Sequence, residues 1–341
     1  MKTQLLDANK PEDIAAAGEI LRGGGLVAIP TETVYGLAAN ALDGRSVEKI
    51  FLAKGRPQDN PLIVHISAFE EMAPLVKEIP EAAKHLAAAY WPGPLTMISE
   101  KSDIIPPQVS AGLETVAVRF PSHPAAQAVI RAAGVPLAAP SANLSGKPSP
   151  TTAAHVLEDM DGKIEAVLDG GPCAVGVEST VITLAADPPR LLRPGGITLD
   201  QLRAVLGEVQ VDPAVMNPLA AGEKASSPGM KYKHYSPKAN VVIVDAPFEK
   251  YRDYVNAHNA PDTAALCYTG EDAALDVPAV CYGGESDYAA QARELFDALR
   301  RLDDDLGART VYARCPEPKD VGLAVYNRLI RAAGFEVIHL G

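Results

Sequence analysis

The loop "AKGRPQDNP" sets Lys54 and Arg56 two residues apart around a glycine, with Asn60 close behind. Arginine offers a planar fork and lysine a compact point charge, a pairing that suits a polyphosphate. If the loop is extended, residues two apart project the same way, and Lys54 and Arg56 converge on one anion. Two solvated cations in a turn is the plainer alternative at this point. Further polar residues stand at the ends of apolar runs. "AIPTETVYGLAAN" carries Thr31, Glu32, Thr33 and Tyr35, and "ETVAVRFP" ends on Arg119, which is costly to bury without an anionic partner. "APSANLSGKPSPT" is dense in hydroxyls and amides, "GVESTVI" brings Ser179 and Thr180, and "LLRPGG" brings Arg193. In "LIVHI", Leu62, Val64 and Ile66 share one strand face while Ile63 and His65 share the other. Taken alone, such a histidine reads as a satisfied core residue. Together these groups predict one hydroxyl-rich, cation-bearing cleft along the strand ends of a single domain.

Several familiar plans are excluded. The second half of the chain has no G-x-G-x-x-G after its first strand, where "VVIVDAPFEK" stands instead, so a dinucleotide site is not expected there. "SANLSGKPS" fails as a phosphate-binding P-loop, because Ser141 replaces the first glycine and Pro148 the Ser/Thr after Lys147. No G-x-S-x-G elbow, H-E-x-x-H or His/Cys/Asp cluster appears, so no metal is expected on protein side chains. The four cysteines are far apart with no C-x-x-C, which predicts reduced, mostly buried thiols in a cytoplasmic protein.

The elements that must position these residues alternate between helix and strand patterns, which predicts an α/β architecture. "PEDIAAAGEILRGGG" reads as a helix opened by Pro11, "RSVEKIFLAKG" as a helix capped by Ser46, and "HPAAQAVIRAAG" as a helix stopped by Gly134. Several strands follow one another with no helix between them, so the first sheet should be mixed. With 341 residues, two domains are the default. The boundaries expected are 1–206 for a catalytic domain, 207–237 for a linker or lid without strand or helix period, and 238–341 for a five-strand, three-helix Rossmann-like domain.

Charge narrows the partners. The chain carries a net −12, with 17 Lys and Arg against 23 Asp and Glu in residues 1–206. Neither half has the basic face that duplex binding by charge requires, so stable nucleic-acid binding is not expected. No apolar run approaches the length of a membrane span, and the start "MKTQLLDANKPED" lacks the apolar core of a secretory signal.

"PTETVYGL", "KGRPQDNPLIVHI", "YWPGPLT", "VAVRFP", "PSANLSGKPSPT", "VESTVI" and "LLRPGG" resemble, in order, the motifs of the YrdC-like family through nearly all of residues 10–206. With its linker and C-terminal unit, the whole chain resembles that family's two-domain threonylcarbamoyl-AMP synthases. The resemblance implies a YrdC-like twisted mixed sheet with flanking helices plus a smaller Rossmann-like domain. It implies a nucleotidyltransferase that joins L-threonine, bicarbonate or carbon dioxide and ATP into threonylcarbamoyl-AMP and pyrophosphate. The product would pass to a tRNA threonylcarbamoyl transferase, and Mg2+ would arrive with the ATP. Threonine contacts are implied at Thr33, His65, Arg119, the backbone of Ala139 and Ser179. ATP contacts are implied at Lys54, Arg56, Asn60, Thr115, Ser141, Ser149, Arg193 and, from the linker, Tyr232. No dedicated general base stands out; Lys54 and Arg56 are the catalytic candidates, with catalysis chiefly by positioning. Two alternatives stay open: an RNA-binding or ribosome-maturation module, and an enzyme making a different carbamoyl adenylate. The linker, with Lys231 to Tyr235 rich in lysine and tyrosine, is expected to close over bound nucleotide.

Overall fold

The structure, a computed structural model, describes residues 2–218 and 235–341. They divide into two compact units, one of residues 2–145 and 149–218, the other of 146–148 and 235–341.

The first unit is built on one sheet. Its strands are β1 (Gln4–Asp7), β2 (Val27–Ile29), β3 (Gly36–Asn40), β4 (Ile63–His65), β5 (Leu95–Glu100) and β6 (Thr115–Arg119), then β7 (Leu137–Ala138), β8 (Ala166–Asp169), β9 (Thr180–Thr183), β10 (Arg190–Arg193) and β11 (Gln210–Val211). The spatial order is β1-β8-β2-β3-β7-β4-β6-β5-β9-β10-β11. It is mixed, as expected: β4 runs parallel to β6, whereas β5 runs antiparallel to β6 and β2 to β3. Strand β11 lies inside the stretch expected to be a linker. It pairs with β10 through Arg190 and Leu191, so the first unit extends past residue 206. Two residues are too short a run to show a strand period.

The helices are α1 (Pro11–Arg22), α2 (Gly44–Lys54), α3 (Glu81–Tyr90), α4 (Pro107–Ser110), α5 (Pro124–Ala133), α6 (Ala153–Met160) and α7 (Leu199–Leu206). Pro11 opens α1, and Gly134 closes α5 in the left-handed conformation at φ 68°. Helix α2 corrects one expectation. Its cap is Asp43, whose carboxylate accepts from the Arg45 N–H at 3.1 Å and from the Ser46 hydroxyl at 2.5 Å. Ser46 instead lies inside the helix, because the aspartate three residues before it offers the stronger acceptor.

Period-2 alternation gives the middle of the sheet two different faces. Leu62, Val64, Ile66, Val116, Val118, Leu95, Met97 and Ile182 belong to the large apolar core. Ile63, Ile98, Ala117, Val181 and Leu192 form a small separate cluster on the opposite face. That thin second layer is the floor on which the site is laid.

The second unit carries β12 (Asn240–Asp245), α8 (Phe248–Ala257), β13 (Thr263–Cys267), β14 (Ala279–Cys281), α9 (Tyr288–Asp304), β15 (Thr310–Arg314), α10 (Gly322–Ala332) and β16 (Val337–His339). All five strands are parallel, in the order β14-β13-β15-β12-β16. Buried Arg314 at the end of β15 pairs with Glu271 at 3.1 Å and Glu285 at 2.9 Å and lies 5.0 Å from the Tyr268 ring centre. The carboxyl ends of these strands, where open α/β sheets receive ligands, are thus closed by an arginine already satisfied.

Candidate active site

Register brings the expected residues together in two groups. His65 lies opposite Arg119 across β4 and β6, and Thr96 lies opposite Arg119 across β5 and β6. The pairing starts at Ile63 opposite Ala117, so Thr115 lies at the end of β6 from which the chain carrying Arg56 and Asn60 enters β4. Thr115 therefore stands about 13 Å along the strand from Arg119, at about 3.3 Å per residue. One group gathers at the strand ends and the other at the strand starts.

Arg119 is the centre of the first group and is 4% exposed. Its Nη1 donates to the Thr33 hydroxyl at 2.9 Å, and its Nη2 stands 2.7 Å from Glu32 Oε1 as a buried ion pair. The hydroxyl of Thr31 donates to the Val34 carbonyl at 2.6 Å, so the Thr33 hydroxyl, 2.9 Å away, donates to Thr31 and accepts from Arg119. Both carboxylate oxygens of Glu32, and Nε and Nη2 of Arg119, are buried with no hydrogen-bond partner among the described residues, so the 2.7 Å approach is a charge contact without hydrogen-bond alignment. Such groups cost free energy unless something else meets them.

Three further residues frame this corner. His65 is 2% exposed and its Nδ1–H donates to the Ile63 carbonyl at 3.1 Å. Burial first, then the positive Arg119, push its pKa down to about 3, so the ring is neutral at physiological pH. The Ser179 hydroxyl is 2.8 Å from the Thr96 hydroxyl, and Arg193 donates from Nη2 to that Ser179 oxygen at 3.1 Å and from Nε to the Ser179 carbonyl at 3.0 Å. The backbone N–H of Ala139 donates to the Ile63 carbonyl at 3.0 Å, which ties the chain after β7 to the same strand.

The second group departs from expectation in its geometry. Lys54 is the last residue of α2 and Gly55 turns left-handed at φ 60°, so the loop is not extended and the two cations do not project alike. Lys54 is 3% exposed, and its ammonium donates to the carbonyls of Ser141 and Asn143. The Ser145 N–H returns a bond to the Lys54 carbonyl at 2.9 Å. Burial, and after it the positive Arg56, lower the Lys54 pKa well below the usual lysine value. Arg56 donates from Nη2 to the carbonyls of Asn60 and Pro61 at 3.3 and 3.4 Å. Asn60 Oδ1 is buried without a hydrogen-bond partner among the described residues. Ser149 is fully buried and donates to Glu178 Oε1 at 2.5 Å. Tyr232, with 219–234 and the lid expectation placed there, lies outside the described residues.

Sequence reasoning placed Thr31 and Glu32 in the cleft without giving either a contact, and it gave Thr96 and Glu178 no place there. Glu32 had a signal: a carboxylate between two threonines in a stretch otherwise built for burial. Thr96 had none, since one threonine in "LTMISE" does not reveal its partner Ser179, just before β9. Among the described residues no group of three or more His, Cys, Asp or Glu could hold a metal, so the residues present do not build a magnesium cage. No helix among them is long and apolar enough to cross a membrane.

Residues 19–195 match the Sua5/YciO/YrdC family, described as telomere recombination, and residues 197–334 match the threonylcarbamoyl-AMP synthase C-terminal domain. The threonylcarbamoyl-AMP synthase of Pyrococcus abyssi is 48% identical over 330 residues, covering 95% of both chains. That of Bacillus subtilis is 47% identical over 340 residues, covering 98% of this chain and 97% of its own. The crystal structure of P. abyssi Sua5 complexed with L-threonine superposes with a TM-score of 0.93 at 44% identity, covering 100% of each chain.

Proposed function

We propose a function from one premise: this chain belongs to the Sua5/YciO/YrdC family and carries the C-terminal domain of its threonylcarbamoyl-AMP synthases. It is an enzyme that makes threonylcarbamoyl-AMP, the activated intermediate for threonylcarbamoyladenosine in tRNA. In our reading it is a nucleotidyltransferase. L-Threonine, bicarbonate as the source of carbon dioxide, and ATP enter, and pyrophosphate leaves. The threonine amine captures carbon dioxide, and the carbamate oxygen then attacks the α-phosphate.

The observation that carries this reading is Arg119, a buried fork with a buried, unpartnered Nε, held by Thr33 and Glu32 on the sheet face that also carries Thr115. A side-on guanidinium face suits the carboxylate of an amino acid. Arg56, Asn60 and Thr115 are assigned to the triphosphate, with Arg193 beside Ser179 on the row of the sheet that also carries Thr96 and Arg119. Lys54 acts by fixing the Ser141–Asn143 turn that lines the same cleft. Magnesium is assigned to the phosphates of ATP, and no step here runs through it. Neutral His65 offers a polar edge without a second positive charge next to Arg119. A cytoplasmic location and transfer of the product to a tRNA threonylcarbamoyl transferase follow from the same reading.

The test supplies the purified chain with ATP, radiolabelled bicarbonate and each amino acid in turn. Label should enter an adenylate, and pyrophosphate should appear, with threonine and not with alanine or valine. Pyrophosphate release indifferent to the amino acid would refute the assignment.

A further inference from the structure

The mechanism above leaves the threonine amine without a receiver. Free threonine carries an ammonium, which has no lone pair to offer to carbon dioxide. Something must hold that cation and take a proton from it. Arg56, Arg119 and Arg193 are guanidinium groups, Lys54 directs its Nζ to the carbonyls of Ser141 and Asn143, and His65 is neutral with its Nδ1–H committed to the Ile63 carbonyl. The hydroxyls of Thr33 and Ser179 are poor proton acceptors.

Glu32 has the properties required. It is 8% exposed overall, and its Oε1 is 2.7 Å from Arg119 Nη2. Both of its carboxylate oxygens are buried with no hydrogen-bond partner among the described residues, and Oε1 is the one at ion-pair distance from Arg119. The neighbouring Arg119 Nε is in the same condition. A carboxylate oxygen and a guanidinium N–H, both buried and both unmet, sit on one ion pair. An α-amino acid carries the matching charges two bonds apart: its carboxylate answers Nε and its ammonium answers Oε2. Four charges then alternate in sign, and burying the zwitterion changes the net charge of the corner by nothing. The other groups facing Glu32 leave it this role. His123 is half-buried, accepts from the Ala125 N–H on Nδ1, and is held below its usual pKa by burial. The Cys173 thiol is pushed up to about 12 by burial and stays protonated. The backbone carbonyl of Glu32 accepts from the Val175 N–H at 2.8 Å, which fixes the segment that carries the side chain.

We propose that Glu32 is a catalytic residue that binds the α-ammonium of threonine through Oε2 and accepts its proton. The N–H bond breaks with its electron pair left on nitrogen, and the proton moves to Oε2. The freed amine is the nucleophile toward carbon dioxide, and the substrate carboxylate takes over as the counter-charge of Arg119. This rests on the threonine-binding reading above and deepens it.

The test separates contact with the amine from mere support of Arg119. Calorimetric titration compares L-threonine with (R)-3-hydroxybutanoate, which is threonine with the amine replaced by hydrogen. Both ligands need Arg119, but only threonine needs Glu32. In Glu32→Gln, threonine affinity should fall about ten-fold or more, the loss of a charge-assisted hydrogen bond, while the analogue binds within two-fold of its affinity for the unmodified protein. Pyrophosphate release at saturating threonine should drop about 100-fold or more, the range for a lost proton acceptor. Equal losses for the two ligands would reduce Glu32 to a support for Arg119 and overturn the proposal. Unchanged turnover at saturating threonine would overturn the proton step. Should Glu32→Gln fail to fold, Glu32→Asp withdraws the charge by one methylene, and it must weaken threonine at least three-fold more than the analogue. Failure of the unmodified protein to bind threonine at all would instead strike the functional reading itself.

Discussion

Acidification should expose His65. Its pKa is held near 3 in the folded chain, against about 6.5 in an unfolded one. The folded-state value is depressed, so the stability this implies is present above pH 6.5 and is lost as pH falls toward 3. Between those values the unfolded chain binds a proton that the folded chain refuses. At pH 5 the gap of about 1.5 units below the unfolded value costs about 2 kcal/mol, nearly all of it absent at pH 7.5. At 2% exposure little solvent screening reduces the effect. The assay is urea unfolding of the unmodified protein and of His65→Gln at pH 7.5 and pH 5. Carboxylates titrate alike in both and cancel in the double difference, leaving about 2 kcal/mol specific to the histidine. Equal losses in the two proteins would refute the burial argument. An imidazole NMR titration checks it without mutation: the His65 ring signals should hold constant down to pH 5, and a midpoint near 6.5 would sink the reasoning. Functionally, a ring this hard to protonate cannot supply a proton at neutral pH.

Arg119→Gln should leave Glu32 buried without its counter-charge and cost about 3–5 kcal/mol, the range for breaking a buried pair; thermal unfolding should show Arg119→Gln combined with Glu32→Gln to be more stable than Arg119→Gln alone, and the reverse order would deny the ion pair. Lys54→Met removes the donor shared by the Ser141 and Asn143 carbonyls, so the melting temperature should fall by several degrees at about 1–3 kcal/mol, whereas a solvated lysine would leave calorimetry unchanged. A Cβ at Gly195 would stand 2.3 Å from the Thr180 nitrogen and 2.6 Å from the Ser179 carbonyl carbon, so Gly195→Ala should displace Ser179 and cut pyrophosphate release by more than ten-fold; full turnover would show that Ser179 tolerates the shift.

What the sequence disclosed depends on how local the cause is. The two faces of "LIVHI" follow from period-2 alternation, and the structure separates Val64 from Ile63 into different clusters accordingly. The Gly134 stop and the mixed sheet were legible for the same reason, since each needs only neighbouring residues. The Lys54–Arg56 geometry was not, because two residues apart means the same side in a strand and different sides once a left-handed glycine ends a helix between them. The ion pair of Glu32 with Arg119 joins two motifs far apart in the chain, and no spacing rule connects them. Resemblance supplied the order of the motifs and the reaction, but not which buried atoms are unmet.

Those unmet atoms explain how an acidic protein can serve anionic substrates. A net charge of −12 offers no long-range attraction for ATP or a carboxylate. Each buried cation must therefore be held locally and still keep capacity toward the cleft. Lys54 is held by carbonyl dipoles and Arg56 by the carbonyls of Asn60 and Pro61. These carbonyl dipoles fix position, and for Lys54 the nearby carboxylates of Asp159 and Glu178 add negative charge. Arg119 has a full carboxylate 2.7 Å from its Nη2. A cation cancelled in this way is poorly suited to a triphosphate, whose charge has no positive end to offer the carboxylate. It is well suited to a zwitterion, which brings one charge for each partner. In the proposed reading, the carboxylate beside Arg119 therefore favours the amino acid over the triphosphate at that corner.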